Sequence, residues 1–207
     1  TLEMIETLLS PTSGRILVDG FDAVRDSHRV KRLIGVQLQS ASFYPDLRLT
    51  ELLRLFGALY DVRVDPKAML RRVQLEDKAR STYVNLSGGQ KQRFSIISTL
   101  VHQPRVVFLD EPTTGLDPQA RLNLWDTIRE VRDAGTTVVM TTHAMDEAET
   151  LCDRLAIMDH GTILRVATPT SLIDDLLSTG YRRPQTVKLA SLEDVFLTLT
   201  GRELRDA

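Results

Sequence analysis

Length, composition and charge narrow the protein classes to which this sequence can belong. Its 207 residues, of which 42% are hydrophobic and 26% charged, predict one substantial folded domain and exclude a disordered tail. A formal net charge of -2 argues against nucleic-acid binding through bulk positive charge. The single cysteine, Cys152, favours a reducing cytoplasm. No apolar run reaches the roughly 18–20 residues that span a bilayer, so we expect any membrane role to act through a partner.

The first half of the chain is predicted to alternate between helix and strand and then to continue as helices. Apolar spacing from Leu2 to Leu9 indicates a helix, and Asp19-Gly20 indicates the turn of a hairpin that starts with a strand over 15–18. We then predict, in order, a short helix ending at residue 33, a strand over 34–38, and helices over 49–60, 65–73 and 86–102. Thr50 is the candidate N-cap of the first of these three helices.

An α/β pattern resumes after the third of those helices. We predict a buried strand over 105–109, a helix over 118–134, a strand over 136–142, a helix over 146–152, a hairpin over 155–164, and helices over 171–177 and 192–199. A run of helices between strand-rich flanks indicates a helical subdomain inserted into an α/β core.

Two adjacent carboxylates end the predicted strand over 105–109. Asp110 and Glu111 follow four apolar residues, and because side chains alternate along a strand, we expect the two acids to have different tasks. One can hold Mg²⁺, usually through water, and the other can orient and deprotonate a water for attack on a γ-phosphate. An isolated acid pair is more often two surface residues that open a loop, so this interpretation depends on the neighbouring motifs.

Three other segments carry polar groups suited to phosphate chemistry. Ser87-Gly88-Gly89-Gln90 offers a hydroxyl and unhindered N–H groups at a helix N-terminus, which binds phosphate well, although a plain N-cap is the alternative. Gln39 follows a predicted strand and can contact a metal or an attacking water. His143 also follows a strand and can donate a hydrogen bond to a transferred phosphoryl group.

Taken together, and in their order along the chain, the segments resemble the motifs of the ABC transporter nucleotide-binding domain. Leu86 to Gln90 resembles the family signature, Val106 to Glu111 the Walker B strand, Gly115 to Asp117 the D-loop, Gln39 the Q-loop and His143 the switch histidine. The resemblance implies an α/β, P-loop NTPase-like core with a parallel sheet, an inserted helical subdomain and a short C-terminal helical tail. It also implies ATP and Mg²⁺ as ligands.

The resemblance assigns a role to each matching residue. For catalysis it implies Glu111 as the base, with His143 and Gln39. For the metal it implies Asp110 and Gln39. For the nucleotide it implies Ser87, Gly88, Gly89, Gln90 and Asp117.

The resemblance further implies an ATPase that works as a head-to-tail dimer, most simply a homodimer. Each ATP would lie between the P-loop of one subunit and the signature of the other, so closure needs nucleotide and opening follows hydrolysis. We expect an ABC ATPase domain over 1–167, with its helical subdomain over about 43–102 acting on an integral membrane permease, and a tail over 168–207. Residues 192–202 resemble the ending of ABC-2-type, drug-efflux-like ATPases, which implies an exporter subunit at the inner face of the cell membrane.

One motif of the family is absent from the 207 residues. No Gly-x-x-x-x-Gly-Lys-[Ser/Thr] sequence occurs, and residues 1–4 resemble the helix that directly follows a P-loop. We therefore expect the P-loop of the natural protein to precede Thr1, and the 207 residues alone to bind ATP poorly and hydrolyse it negligibly. Micromolar ATP affinity in a titration of these residues would contradict that expectation.

Two other classes of function stay open. Non-transport ABC ATPases act on DNA or ribosomes, but the DNA-remodelling ones separate their motifs by long coiled-coil arms, and the ribosome-acting ones usually carry two domains and a charged linker. The sequence shows neither feature. A non-catalytic domain that only binds a partner is favoured by the absent P-loop and opposed by the intact Glu111 and His143.

Overall fold

Residues 2–38 and 42–182 are described by the computed structural model, which divides the chain into two units, Thr1–Thr141 and Thr142–Ala207. The predictions for Gln39 and for the tail over 192–202 lie outside the described residues. The division falls inside the ATPase domain expected over 1–167, and that domain boundary stays a prediction.

The order of helices and strands follows the predicted order along the described chain. The first unit contains α1 (Leu2–Ile5), β1 (Leu17–Val18), β2 (Phe21–Asp22), α2 (Ser27–Leu33), β3 (Ile34–Gln37), α3 (Leu49–Leu59), α4 (Pro66–Arg72), α5 (Gly88–Thr99), β4 (Val106–Asp110), α6 (Pro118–Asp133) and β5 (Thr137–Thr141). The second unit contains α7 (Met145–Leu151), β6 (Leu155–Asp159), β7 (Thr162–Ala167) and α8 (Pro169–Ser178). No described helix has the length and apolar character needed to cross a membrane.

Most helix boundaries lie within three residues of the prediction, and the differences at α1 and α3 have local causes. Helix α1 ends at Ile5 rather than Leu9, because Thr7 takes a positive φ of 64° and turns the chain, leaving Leu8 and Leu9 more than half exposed. Helix α3 begins one residue before Thr50, so the prediction that Thr50 caps it is wrong. The cap position belongs to Arg48, whose backbone N–H donates to the Glu51 carboxylate at 2.8 Å.

A parallel sheet with the strand order β3-β4-β5 forms the centre of the first unit. Strand β4 lies in the middle, and its Val107, Phe108 and Leu109 are buried. Parallel neighbours need crossover connections, which the helices between these strands supply. Phe108 belongs to an apolar cluster that also contains Val18 and Val30, so the hairpin of β1 and β2 and helix α2 pack against the sheet.

The helices between β3 and β4 bury a large set of apolar side chains. Helices α3, α4 and α5 contact one another. The buried side chains that these helices and their connections contribute include Leu49, Leu52, Leu53, Leu70, Leu75, Phe94, Ile96 and Ile97. This arrangement has the helical character predicted for that part of the chain.

A histidine connects the helical part to the sheet. The ring of His102 stacks on Tyr60, with ring centroids 3.9 Å apart, and its Nε2 lies 2.9 Å from the Ile34 carbonyl oxygen. Burial lowers the pKa of His102, and the hydrogen bond to Ile34 opposes that shift. The end of α3 is thereby attached to the first residue of β3.

The second unit has a separate two-stranded arrangement. Strands β6 and β7 form the predicted antiparallel hairpin, with a change of register at Ile157/Met158. Helices α7 and α8 contact each other. Thr168 caps α8, because its hydroxyl accepts the Ser171 backbone N–H at 3.1 Å.

Candidate functional site

The acid pair at the end of β4 is held by a threonine from the neighbouring strand. Because β4 and β5 are parallel, Asp110 lies opposite Thr141 in the register. The Thr141 hydroxyl donates to Asp110 Oδ1 at 2.6 Å and accepts the Glu111 backbone N–H at 3.0 Å. One hydroxyl therefore orients the Asp110 side chain and the Glu111 backbone together.

The backbone of Glu111 is strained, unlike that of its neighbour. Its φ of 44° lies in the left-handed region, which residues other than glycine rarely adopt. The Thr114 hydroxyl donates to Glu111 Oε2 at 3.1 Å, and the Thr114 N–H donates to the Glu111 carbonyl at 3.2 Å. Strain of this kind concentrates at functional sites. The carboxylate of Glu111 accepts from Thr114, whereas that of Asp110 accepts from Thr141.

A third carboxyl group beside this pair escaped the sequence reasoning. Glu6, just after α1, is 3% exposed, and its Oε1 has no hydrogen-bond partner among the described residues. Burial raises the pKa of Glu6, and the negative charges of Asp110 and then Glu3 raise it further. Glu6 lies four residues after Leu2, at a position where the helical pattern calls for an apolar side chain, and that is the signal that could have identified it. The end of β4 is therefore rich in carboxyl groups, and the environment of Glu6 favours its neutral form.

The donor set at the end of β4 fits Mg²⁺. The Asp110 carboxylate is half-buried and is oriented by Thr141, and Glu111 adds a second carboxylate. The described residues hold no group of three His, Cys, Asp or Glu side chains that could enclose a metal. Magnesium is usually held by one or two carboxylates together with waters and substrate phosphates, so an open carboxylate site of this kind suits it.

The signature segment forms a reciprocal cap at the start of α5. Ser87 Oγ accepts the Gln90 backbone N–H at 3.4 Å, and Gln90 Oε1 accepts the Ser87 backbone N–H at 3.1 Å. Gly88 and Gly89 occupy the first two helical positions, where N–H groups have no acceptor within the helix. The side chains of Ser87 and Gln90 therefore cap the helix, while the N–H groups of Gly88 and Gly89 stay available to bind an anion.

The D-loop acid caps the next helix and shares a cleft with the signature. Asp117 Oδ1 accepts the Ala120 backbone N–H at 2.8 Å, at the start of α6. A polar cleft of about 190 Å³ separates the beginnings of α5 and α6. It is lined by Ser87, Gly89, Gln90, Arg93, Asp117, Gln119, Ala120 and Asn123. The structure therefore brings together four of the residues predicted to bind nucleotide.

The residues predicted for catalysis and metal binding are not gathered in one described place. Asp110 and Glu111 do not line the cleft between α5 and α6. Gln39 lies outside the described residues. His143 belongs to the second unit, where it is exposed, and the neighbouring Thr142 hydroxyl accepts the Ala144 N–H at 3.0 Å. The functional roles of Gln39 and His143 stay predictions.

Relatives of the chain are ATP-binding proteins of resistance and export systems. The daunorubicin resistance ATP-binding protein DrrA3 of Streptomyces coeruleorubidus is 38% identical over 83% of this chain. The linearmycin resistance ATP-binding protein LnrL of Bacillus subtilis is 34% identical over 85% of it. The aligned parts cover 56% and 58% of those two proteins, so the chain spans less than two thirds of their length. The Nod factor export ATP-binding protein I of Ralstonia nicotianae is 32% identical over 100% of this chain and 82% of its own length.

Solved structures and a family model also match the chain to ABC transporter proteins. The chain matches an ATP-binding subunit of an ABC transporter with a TM-score of 0.73 and 27% identity, over 96% of this chain and 81% of the other. It matches cbiO1 of Clostridium perfringens, part of the ABC transporter complex cbiONQ, with a TM-score of 0.70 and 26% identity, over 84% and 73%. The predicted α/β fold is thereby confirmed. The model of the ABC transporter family matches residues 1–114, and the chain belongs to that family.

Proposed function

We propose that the protein is the ATP-binding subunit of an ABC transporter and that it hydrolyses ATP with Mg²⁺. The observation that carries this proposal is the acid pair at the end of β4, in which Thr141 orients Asp110 and Glu111. Two carboxylates with different partners suit a division between metal binding and proton transfer. The names of the relatives, which include resistance and export ATP-binding proteins, support the same function.

In this proposal the chemistry divides between the two acids. Glu111 would orient a water and take its proton as the water oxygen bonds to the γ-phosphorus and the bond to the β,γ-bridging oxygen breaks, releasing ADP. Asp110 would hold Mg²⁺, whose charge offsets that of the phosphate oxygens. On the family resemblance, we assign Gln39 to the metal and the attacking water, and His143 to the transferred phosphoryl group.

The groups around the cleft would serve the nucleotide of a second subunit. Ser87 to Gln90 present helix N-terminal N–H groups, which attract phosphate, and Asp117 caps the adjoining helix. A head-to-tail homodimer would pair this cleft with the acid pair of its partner.

We further propose an integral membrane permease as the partner that positions the protein at the inner face of the membrane, and export as the direction of transport. The relatives named for resistance and export support that direction.

Phosphate release measured with and without Mg²⁺ tests the proposed reaction. The protein, expressed from its natural gene, is compared with Glu111→Gln, which keeps the side-chain shape and removes the base. Loss of a general base typically costs about 10²–10⁴-fold in rate, so we expect a loss of at least 100-fold with ATP binding retained. Glu130→Gln makes the same chemical change at an exposed position on α6 and should hydrolyse ATP normally. Hydrolysis by Glu111→Gln at the wild-type rate would contradict the proposal.

A further inference from the structure

We propose that Gly89 is a positioning residue that fixes the signature segment, Ser87 to Gln90, against the D-loop, Gly115 to Asp117, through its contact with Ala120. This inference rests on the proposed function, because it concerns the two segments assigned to nucleotide binding. It distinguishes the two adjacent glycines of the signature: Gly89, which lines the cleft, also leaves room for helix α6, whereas the space beside Gly88 is open.

The spaces beside the two glycines differ sharply. A Cβ atom added to Gly89 would lie 2.8 Å from Ala120 Cβ and 3.8 Å from Ala120 Cα. A separation below 3.0 Å essentially never occurs at real Cβ atoms, so any side chain at Gly89 would push α5 and α6 apart. A Cβ atom on Gly88 would have Leu116 Cδ2, at 4.0 Å, as its nearest neighbour in the described part of the chain.

Both partners of the contact are fixed within helix caps. Gly89 lies between Ser87 and Gln90, which bond reciprocally at the start of α5. Ala120 donates its N–H to Asp117, the cap of α6. Because neither residue can shift without its cap, a displacement at this contact moves the signature relative to the D-loop. The contact therefore sets the width of the polar cleft between them.

Such a displacement matters because binding groups must be placed accurately. A misplacement of about 1 Å at a reacting centre can cost on the order of 100-fold in rate. The added methyl of Gly89→Ala would require a comparable adjustment, since a Cβ–Cβ distance of 2.8 Å must open to ordinary van der Waals contact. Gly88→Ala would leave the helices in place and act only on whatever approaches Gly88.

A pairwise rescue tests the inference, with the KM for ATP, kcat and the thermal midpoint measured on the protein from its natural gene. Gly89→Ala should raise the KM for ATP at least tenfold, and adding Ala120→Gly should restore most of that loss, because it removes the clashing Cβ. The loss caused by Gly88→Ala should not be restored by Ala120→Gly. The rescue pattern would thus separate a packing role from a ligand-contact role.

A matched control separates positioning from general destabilisation. A Cβ added to Gly57 in α3 would clash with Val64 Cγ2 and lie 2.7 Å from the Val62 carbonyl oxygen, so Gly57→Ala should lower the thermal midpoint while leaving the KM for ATP within twofold of wild type. A KM raised equally by Gly57→Ala, or a double variant no better than Gly89→Ala, would overturn the inference. If the wild-type protein hydrolyses no ATP, the proposed function fails. The contact between Gly89 and Ala120 is then tested by thermal midpoints alone. The double variant must have a higher midpoint than Gly89→Ala, and a midpoint no higher would overturn the inference.

Discussion

The start of α5 and the end of β4 both present polar groups suited to phosphate, but their geometries have different origins. At α5, the Ser87 and Gln90 cap is closed by partners three residues apart. At β4, the Asp110 carboxylate and the Glu111 backbone meet the hydroxyl of Thr141, about 30 residues away and on another strand. Local sequence thus determines the first site, whereas the second requires the assembled sheet.

The largest expected effect comes from breaking the tertiary bridge at β4. Thr141→Val keeps the β-branched shape and removes the hydroxyl that contacts Asp110 and Glu111. Loss of an outer partner of a metal ligand typically costs about 10–100-fold in activity, and we expect a loss of ATP hydrolysis in that range. Thr141→Ser, which retains the hydroxyl, should keep most of the activity. If Thr141→Val hydrolyses ATP like wild type, the bridge does not organise the acid pair.

The corresponding change at the local site should lower the stability of the chain in the absence of nucleotide. Ser87→Ala removes the side-chain acceptor of the Gln90 N–H, and loss of an N-cap typically costs about 1 kcal/mol of unfolding free energy. Urea denaturation of the 207-residue chain measures this loss. Ser27→Ala, at the first position of a helix whose cap residue makes no side-chain hydrogen bond, is the matched control and should change little. Equal unfolding midpoints for Ser87→Ala and wild type would show that the cap is dispensable.

A smaller, pH-dependent effect is expected from His102, a second tertiary link. Because its pKa is lower in the folded protein, the unfolded chain takes up the proton first as the pH falls. Stability should therefore decline as the pH falls through the ordinary histidine range, near 6.5, and level off once folded His102 is also protonated. His102→Phe, which keeps a ring on Tyr60, should remove this decline between pH 7 and 5.5 in urea midpoints. His28→Gln, at an exposed position, should retain it.

The smallest expected effect concerns the buried carboxyl beside the acid pair. Because the pKa of Glu6 is raised in the folded protein, its contribution to stability falls as the pH rises through the ordinary glutamate range and stays low at neutral pH. Glu6→Gln should raise the thermal midpoint at pH 7 by roughly 1–3 °C, with the gain absent near pH 4. Glu76→Gln, an exposed acid, should show no such gain. A midpoint lowered at pH 7 would mean that the ionised carboxylate is stabilising.

The same contrast explains what could be predicted from the sequence. The capping segment at Ser87 to Gln90, the hairpin turn at Asp19-Gly20 and the helix start at Asp65 depend on partners a few residues away, so the local sequence predicts them. The strands carrying Asp110 and Thr141 were also recognisable from their apolar and β-branched runs.

Sequence spacing does not reveal the contacts made after those strands assemble. The hydroxyl of Thr141 becomes a bridge only when parallel pairing places it opposite Asp110. The burial of Glu6 is not predicted either, because the pattern over Leu2 to Leu9 indicates a continuous helix, whereas the chain turns at Thr7. The contact between Gly89 and Ala120 likewise depends on how closely two helices approach, which a motif does not record.

The most direct test of the account is activity on mixing two inactive variants. Glu111→Gln lacks the base but keeps the signature, and Ser87→Arg blocks the signature but keeps the base. In a head-to-tail dimer, half of the randomly mixed pairs contain one intact composite site, so an equimolar mixture should recover roughly a quarter of the wild-type rate of ATP hydrolysis. A mixture no faster than the average of the two separate variants would contradict the claim that the two regions serve one nucleotide from different subunits.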